Sequence, residues 1–176
     1  DHPQRVTALA LLDIAPTREM YRNTTEAFAR AYWHWFFLIQ PSDFPERMIL
    51  ADTDAYWLRK STTGSKTTEV FQPEALEEYL RCFRDPACVH ASCEDYRAGA
   101  SIDIVHDDED GGRKLPMPML ALWGRKGAID KCFDALALWR QRAEDVRGFA
   151  LPGAHYLAEE LPDETASALR TFFLEG

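Results

Sequence analysis

Two residues of this sequence, Asp13 and His155, have the types and positions expected of a catalytic base and its carboxylate partner. Asp13 follows the apolar run at residues 6–12, and His155 follows the apolar run at residues 146–151. A histidine that acts as a general base needs a carboxylate on its other ring nitrogen, which fixes the tautomer and stabilises the imidazolium. The alternative is a turn residue at a strand end and a loop histidine with a structural hydrogen bond. We favour the pair, because both residues end strand-like runs.

Three aromatic residues are candidates for a binding pocket. His34 and Trp35 are adjacent in an aromatic run, and Tyr96 lies in the segment Glu-Asp-Tyr-Arg-Ala-Gly. Each side chain can donate one hydrogen bond to a ligand. Taken alone, these residues are more typical of the packed interior of an aromatic helical layer.

A metal site is not indicated. Cys88, His90 and Cys93 bring three possible ligands close together, but their spacing matches no standard zinc pattern and a fourth ligand is not evident. We interpret the two cysteines as small buried side chains beside a helical histidine. No metal and no other cofactor are expected.

The candidate catalytic residues require a parallel sheet to bring them together. Continuous apolar runs at residues 6–12, 118–123 and 146–151 are typical of strands buried on both faces. A helix is predicted at residues 128–142, and a last helix follows, with Asp163 as its N-cap and Leu169, Phe172 and Phe173 as its buried stripe. Strands that alternate with helices imply a parallel sheet of the α/β class, whose functional groups gather at the carboxyl edge.

A helical segment of about a hundred residues separates the first two strands. Helices are predicted at residues 26–37, 48–60 and 87–105, and a further helix is predicted to begin at Pro73. Polar loops are predicted at residues 61–68 and 107–114. This order predicts a core at residues 1–16 and 115–176, with a helical cap or lid at residues 17–114 over the carboxyl edge of the sheet.

Composition limits the possible partners. The chain has 176 residues, within the size of one domain, and a net charge of −9. That charge argues against unaided binding to nucleic acid or to an anionic membrane, although a local pocket can still be basic. No apolar run approaches the ~20 residues of a membrane span. Four cysteines and no secretory signal favour a cytoplasmic protein with free thiols.

Five short motifs, in chain order, resemble those of the haloacetate (fluoroacetate) dehalogenases. They are Leu-Leu-Asp-Ile at residues 11–14, Tyr-Trp-His-Trp at residues 32–35 leading to Gln40-Pro41, the Tyr96 segment at residues 94–99, Pro-Met-Leu-Ala-Leu-Trp-Gly at residues 118–124 and the His155 loop. Each motif is weak, but the series is specific and covers nearly the whole chain. Residues 61–68 show no clear match.

The resemblance implies the C-terminal portion of an α/β-hydrolase with an inserted helical cap. In that family an Asp nucleophile displaces halide from a haloacetate, and a histidine-activated water hydrolyses the resulting ester to glycolate. His155 matches the base and Asp13 its partner, while His34, Trp35 and Tyr96 match the halide-binding donors. By the family pattern, the nucleophile and the arginines that hold the substrate carboxylate precede Asp1, so we expect the chain alone to be an inactive fragment. A small haloacid substrate and a homodimeric complete enzyme are also implied.

Two other functions stay open. An epoxide hydrolase shares the Asp nucleophile and the His–Asp pair but usually uses two cap tyrosines, and only Tyr96 is placed for that role by the sequence. The third interpretation is a noncatalytic remnant, or a lid-bearing partner of another chain, since a sheet without its central strands exposes an unpaired edge.

Overall fold

A three-stranded parallel sheet forms the framework of the molecule. The computed structural model describes residues 2–62 and 69–175. The strands are β1 (Leu9–Leu12), β2 (Met119–Gly124) and β3 (Val146–Leu151), in the spatial order β1-β2-β3. β2 is the central strand and is almost wholly buried, as its continuous apolar sequence predicts. The register pairs Leu12 with Leu122 and Gly124 with Leu151, so the three strands end at a common edge.

Helices account for most of the remaining described residues. Between β1 and β2 lie α1 (Thr17–Arg22), α2 (Glu26–Ala31), α3 (Trp33–Leu38), α4 (Phe44–Ala51), α5 (Thr53–Ser61), α6 (Pro73–Phe83), α7 (Pro86–Gly99) and α8 (Ile102–Asp110). The later helices are α9 (Ala128–Cys132), α10 (Ala135–Arg140), α11 (Leu157–Glu160) and α12 (Pro162–Glu175). No helix among the described residues is long and apolar enough to cross a membrane.

The core is divided by the sheet and continues into the helices. On one side, Leu120, Leu122 and Leu151 pack with Leu157 and Phe172. On the other side, Met119 and Val146 pack with Ala143 and with partly buried residues of α10. A third cluster joins the end of β1 to α1–α3 and α9 through fully buried Met20, Phe28 and Ile129. The aromatic residues of α2 and α3 therefore fill the space above the carboxyl edge of the sheet.

The sequence predicted the strands at residues 118–123 and 146–151 almost to the residue. The prediction for residues 6–12 was too long, because residues Pro3–Arg5 form a 3-10 turn and pairing begins only at Leu9. Likewise, Pro73 does begin a helix.

Several predicted helices were wrong in their continuity, because short polar side chains interrupt them. The helix expected at 48–60 is two helices, and the carboxylate of Asp52 caps the second by accepting from the N–H of Ala55 at 3.0 Å. The helix expected at 128–142 breaks at Phe133, and Asp134 caps α10 in the same way through Ala137 at 2.9 Å. A capping side chain offers the backbone an alternative to a continuous helix.

The helix predicted at 87–105 ends at Gly99, which has a low helix propensity, and a new helix begins at Ile102. Part of the acidic loop predicted at 107–114 belongs to that new helix. Its carboxylates are held by arginines of other elements: Asp108 contacts Arg18 and Arg22, and Asp107 contacts Arg142 at 3.0 Å. These ion pairs explain why residues 107–110 are helical although a solvated loop was predicted there.

Two details of the last helix differ from the prediction. The helix begins at Pro162, so Asp163 lies in its first turn instead of capping it. Phe172 is buried, but Phe173 is half exposed and does not complete the predicted stripe. In the loop predicted at 61–68, Ser61 is the last residue of α5, whereas residues 63–68 lie outside the described residues.

Candidate active site

The structure brings Asp13 and His155 into direct contact. Asp13 lies just beyond β1 and His155 four residues beyond β3, both at the carboxyl edge of the sheet. The Nδ1 atom of His155 lies 2.6 Å from Oδ2 of Asp13, a distance typical of a short charge-assisted hydrogen bond. Because Nδ1 is committed to the carboxylate, Nε2 is the ring nitrogen left to accept a proton from a ligand or water.

Asp13 is held by its own backbone and by β2. Its N–H donates to the carbonyl of Leu122 at 2.7 Å, and its Oδ1 accepts from the N–H of Gly124 at 2.8 Å. Its φ is +50°, in the left-handed region that Asp tolerates better than most residues. The carboxylate is fully buried, whereas the His155 side chain is 41% exposed toward the pocket. A buried carboxylate behind an accessible imidazole is the arrangement that supports base chemistry.

Gly124 is required for the close approach of the His155 loop to the sheet. A Cβ at this position would lie 1.7 Å from the carbonyl oxygen of Ala154. The same residue donates to Asp13, so one glycine serves both members of the pair. The sequence placed this glycine at the end of a strand but gave no indication of these contacts.

Glu160 fixes the loop on both sides of His155. One of its carboxylate oxygens accepts from the N–H of Ala154 at 2.7 Å and the other from the N–H of Tyr156 at 3.0 Å. Backbone donors on either side of the imidazole are therefore tied to one side chain at the end of α11. This acidic residue has no role in the sequence analysis, because two adjacent glutamates before a helix resemble a solvated surface.

A cavity of about 410 Å³ lies in front of His155, a volume typical of sites for small molecules. It is enclosed by the helices above and by the loops after β1, β2 and β3 below. All three aromatic candidates, His34, Trp35 and Tyr96, line it together with His155. The structure therefore gathers the predicted site residues around one space, with Asp13 directly behind it.

The aromatic candidates pack edge to face. The ring centroid of Tyr96 lies 5.9 Å from that of His34 and 6.0 Å from that of Trp35. Burial raises the pKa of the Tyr96 hydroxyl, which therefore stays protonated and able to donate. His34 has its Nδ1 atom buried and without a hydrogen-bond partner among the described residues. A buried polar atom of this kind is stabilised when a ligand supplies the missing partner.

His34 is neutral at physiological pH. Burial lowers its pKa to about 3, and the nearby positive charge of Lys60 and the ring of His155 act in the same direction. A neutral imidazole still carries one N–H donor, so it can bind an anion through a hydrogen bond without adding a charge.

Tyr32 also lines the pocket, and the sequence analysis assigned it no separate role. Its hydroxyl lies 3.3 Å from Nδ1 of His155, and its ring stacks on His34 with centroids 5.5 Å apart. It lies where the helix predicted at residues 26–37 is wrong, because the chain breaks there into α2 and α3. With a φ of −109°, the break lets the Tyr32 ring stack on Phe28 and lets its hydroxyl reach His155.

The pocket lining is basic although the protein is acidic. Three lysines, Lys60, Lys126 and Lys131, contribute to it, and no aspartate or glutamate among the described residues does. Lys131 donates to the carbonyl of Lys126 at 2.6 Å, and both are exposed at the rim. An acidic chain with a basic pocket is suited to a small anion, because the local field and not the net charge acts on a ligand inside it.

The three residues considered as possible metal ligands, Cys88, His90 and Cys93, all lie in α7. Cys93 is buried in a hydrophobic cluster, and all four cysteines of the chain are free. Among the described residues, the group that comes close enough to hold an ion is Glu46, His90 and Glu94. Arg97 already pairs with both carboxylates, at 2.6 Å each.

Comparison with known proteins supports the resemblance seen in the motifs. No family model matches the chain. The chain is 43% identical over 177 residues to a fluoroacetate dehalogenase of Burkholderia sp., a match that covers all of this chain and 58% of that protein. It is also 28% identical over 146 residues to a soluble epoxide hydrolase of Corynebacterium sp. (strain C12), covering 80% of this chain and 48% of that protein. The chain thus spans about half the length of these two relatives.

Solved structures show the same fold. The crystal structure of ALR0039, a candidate α/β-hydrolase from Nostoc sp PCC 7120, superposes on all of this chain and on 60% of its own, with a TM-score of 0.95 and 53% sequence identity. The α/β fold class expected from the sequence is therefore confirmed, with the sheet and helices described above as part of the α/β-hydrolase architecture.

Proposed function

We propose that this chain, which belongs to the α/β-hydrolases, supplies the base and the ligand-binding pocket of a hydrolytic dehalogenase of small 2-haloacids. The observation that carries the proposal is the pairing of His155 with buried Asp13, in front of a pocket to which the described residues contribute lysines but no carboxylate. The positive charges of such a pocket attract an anionic substrate, whereas the acidic surface elsewhere on the protein repels it. The haloacid class combines a carboxylate with a halide leaving group, and both are anions at the end of the reaction.

The proposed reaction has two steps. A carboxylate nucleophile forms a C–O bond to the carbon that bears the halogen, and the halide leaves with the electron pair of the C–X bond. Water then attacks the carbonyl of the ester while Nε2 of His155 takes its proton, and glycolate and the free carboxylate are released. Asp13 stabilises the imidazolium formed in that step.

The halide is assigned to the three aromatic donors. Charge develops on the leaving halogen in the transition state, and preorganised donors contribute most where charge develops. His34, Trp35 and Tyr96 are assigned here because they line the same cavity as His155, and because the buried Nδ1 atom of His34 has no hydrogen-bond partner in the described part of the chain.

The nucleophile is assigned to a segment outside these residues. No carboxylate among the described residues lines the cavity, since Asp13 is buried behind His155. The chain by itself is accordingly proposed to be inactive. We also propose that residues 17–114 form the cap of the complete enzyme over a core formed by residues 1–16 and 115–176, and that the complete enzyme is a homodimer.

The test is halide release by the complete gene product. Fluoroacetate, chloroacetate and bromoacetate are supplied separately, and halide and glycolate are measured together. Equal amounts of both products support the proposal. A complete gene product that releases no halide from any of the three rejects it.

An epoxide hydrolase is the second candidate, and the tyrosines favour it more than the sequence suggested. Tyr32 and Tyr156 line the cavity beside Tyr96, so the described residues supply three tyrosines where an epoxide hydrolase usually uses two. Burial raises the pKa of all three tyrosines, which keeps them as donors. Diol formation from a simple epoxide, with no halide released from any haloacetate, would make this the function.

A further inference from the structure

Lys60 is an unusual lysine for its position. It lies in the last turn of α5, where a lysine normally extends into water and complements the helix C-terminus. Here the side chain is half-buried and lines the cavity. Desolvation lowers the pKa of its ammonium group. Lys126 and Lys131, by contrast, are exposed at the rim.

The charge of Lys60 has no carboxylate to balance it in the part of the chain that the structure describes. No aspartate or glutamate there forms an ion pair with it, although the exposed surface carries many such pairs. Burying an unpaired ammonium is costly, and the cost falls when an anion enters beside it. The anion that can reach it is one bound in the cavity.

His34 faces the same space as Lys60. The positive charge of Lys60 is close enough to lower the pKa of His34, which keeps that imidazole neutral. The Nδ1 atom of His34 is buried and has no hydrogen-bond partner among the described residues. A cation and a neutral imidazole that line one cavity can provide a charge and a hydrogen-bonding group to the same small ligand.

We propose that Lys60 is an anion-binding cation on the helical side of the pocket and forms, with His34, a subsite for a small monovalent anion. The anion is either the carboxylate of the substrate or the halide that the reaction releases. This inference rests on the proposed function for the identity of the anion, but not for the existence of the subsite. Lys60 is therefore a specificity-determining residue, because it favours an anionic over a neutral ligand of the same shape.

The test uses the complete gene product and measures binding without turnover. Tryptophan fluorescence is titrated with acetate, with bromide, and with acetamide, the neutral analogue of acetate. Lys60→Met keeps the aliphatic stem and removes the charge, Lys60→Arg keeps the charge, and Lys114→Met is the matched control. Lys114 is exposed, and its Nζ atom donates to the backbone carbonyl of Arg140, outside the pocket, at 2.7 Å.

Acetate or bromide affinity is expected to fall ~10-fold in Lys60→Met and to stay within ~3-fold of the parent in Lys60→Arg. Acetamide binding should not change in either variant, and Lys114→Met should bind all three ligands as the parent does. Loss for acetate alone identifies the substrate carboxylate as the occupant, and loss for bromide alone identifies the halide. A thermal melt confirms folding, and Lys60→Gln replaces the Met variant if that variant does not fold.

Unchanged binding of both anions in Lys60→Met, or no binding of either anion to the parent protein, overturns the inference. Halide release is measured in parallel, so that the two proposals can fail separately. Anion binding that depends on Lys60 without any dehalogenation would reject the proposed function and retain the subsite. Dehalogenation and anion binding that are both unchanged in Lys60→Met would retain the proposed function and reject the subsite.

Discussion

Replacement of Asp13 by Asn or by Ala separates its structural role from its chemical role. In Asp13→Asn, the amide oxygen continues to accept from the N–H of Gly124, which lies 2.8 Å from Oδ1 in the parent. Asn also tolerates the left-handed backbone at this position, where φ is +50°. The fold should therefore survive with a small loss of stability, of about 1 kcal/mol from one weakened hydrogen bond.

Asp13→Ala removes both contributions. The buried N–H of Gly124 loses its acceptor, at a cost of about 1–3 kcal/mol. An alanine in the left-handed region adds about 1–2 kcal/mol of backbone strain. The free energy of unfolding should therefore fall by about 2–5 kcal/mol, clearly more than in Asp13→Asn. Chemical denaturation of the two variants measures this difference.

The chemical role appears in the tautomer of His155. In the parent, Nδ1–H donates to the carboxylate over 2.6 Å, which leaves Nε2 free to accept a proton. In Asp13→Asn the amide nitrogen faces Nδ1 and donates to it, so the ring proton moves to Nε2 and the base is lost. Hydrolysis of the ester should slow by about 10³–10⁴-fold.

Nitrogen NMR of the labelled ring reports the tautomer directly, with the His155 signals assigned by their absence from His155→Gln. The reasoning is refuted if Nδ1 of His155 stays protonated in Asp13→Asn, or if ester hydrolysis keeps its parental rate. Equal stability of the Asn and Ala variants would refute the structural half alone.

Three further changes test the supports of the site and of the helical segment. Glu160→Gln leaves one acceptor oxygen for the two N–H groups that flank His155. The kcat for hydrolysis should therefore fall, while the free energy of unfolding drops by only about 1 kcal/mol. An unchanged pH–rate profile would contradict this positioning role. Gly124→Ala places a Cβ against a carbonyl oxygen and should lower the free energy of unfolding by about 3 kcal/mol, so an undisturbed melting temperature would show that the loop yields. Glu46 is buried, and hydrogen bonds from Arg97 hold its pKa at about 2, below its ordinary value of 4.5, so its stabilisation is full above pH 4.5 and is lost as the pH falls toward 2. In Glu46→Gln, the free energy of unfolding should therefore fall by about 2–3 kcal/mol at neutral pH, and stability should depend less on pH between 4.5 and 2. Acid denaturation that runs parallel to that of the parent protein would contradict the Glu46–Arg97 pairing.

The sequence predicted the sheet well because its strands depend on a simple signal. The strands that begin at Met119 and Val146 are continuous apolar runs, and a strand buried on both faces needs little else. The helices were harder, since their ends depend on single capping contacts. Asp52 and Asp134 each accept a hydrogen bond from the backbone N–H three residues ahead, and nothing in the hydrophobic periodicity distinguishes these aspartates from exposed ones.

The contact between Asp13 and His155 followed from topology, since each residue comes after a strand of a parallel sheet. The aromatic residues His34, Trp35 and Tyr96 had packing as their more typical interpretation, and only the resemblance to the dehalogenases gave them a role. The structure places all three at the cavity, and their function stays a prediction.

The residues that sequence reasoning missed act through geometry that has no linear signal. Lys60 ends a helix before a polar loop, as many surface lysines do, and only the folded chain shows that it is half-buried at the cavity. Tyr32 contacts His155 across a sequence separation of 123 residues. Glu160 contacts the backbone on both sides of His155 from four and six residues away in the sequence. Such contacts require the tertiary structure.

The central claim is that His155, oriented by Asp13, activates the water that hydrolyses an ester intermediate. The most direct test is mass spectrometry of the complete gene product carrying His155→Ala, after incubation with chloroacetate. We predict one stoichiometric release of chloride and a protein heavier by one carboxymethyl group, attached to a carboxylate side chain and stable to isolation, while the parent protein stays unmodified and continues to turn over. Continued release of glycolate by the variant, or chloride release by the parent with no adduct in the variant, would contradict the claim.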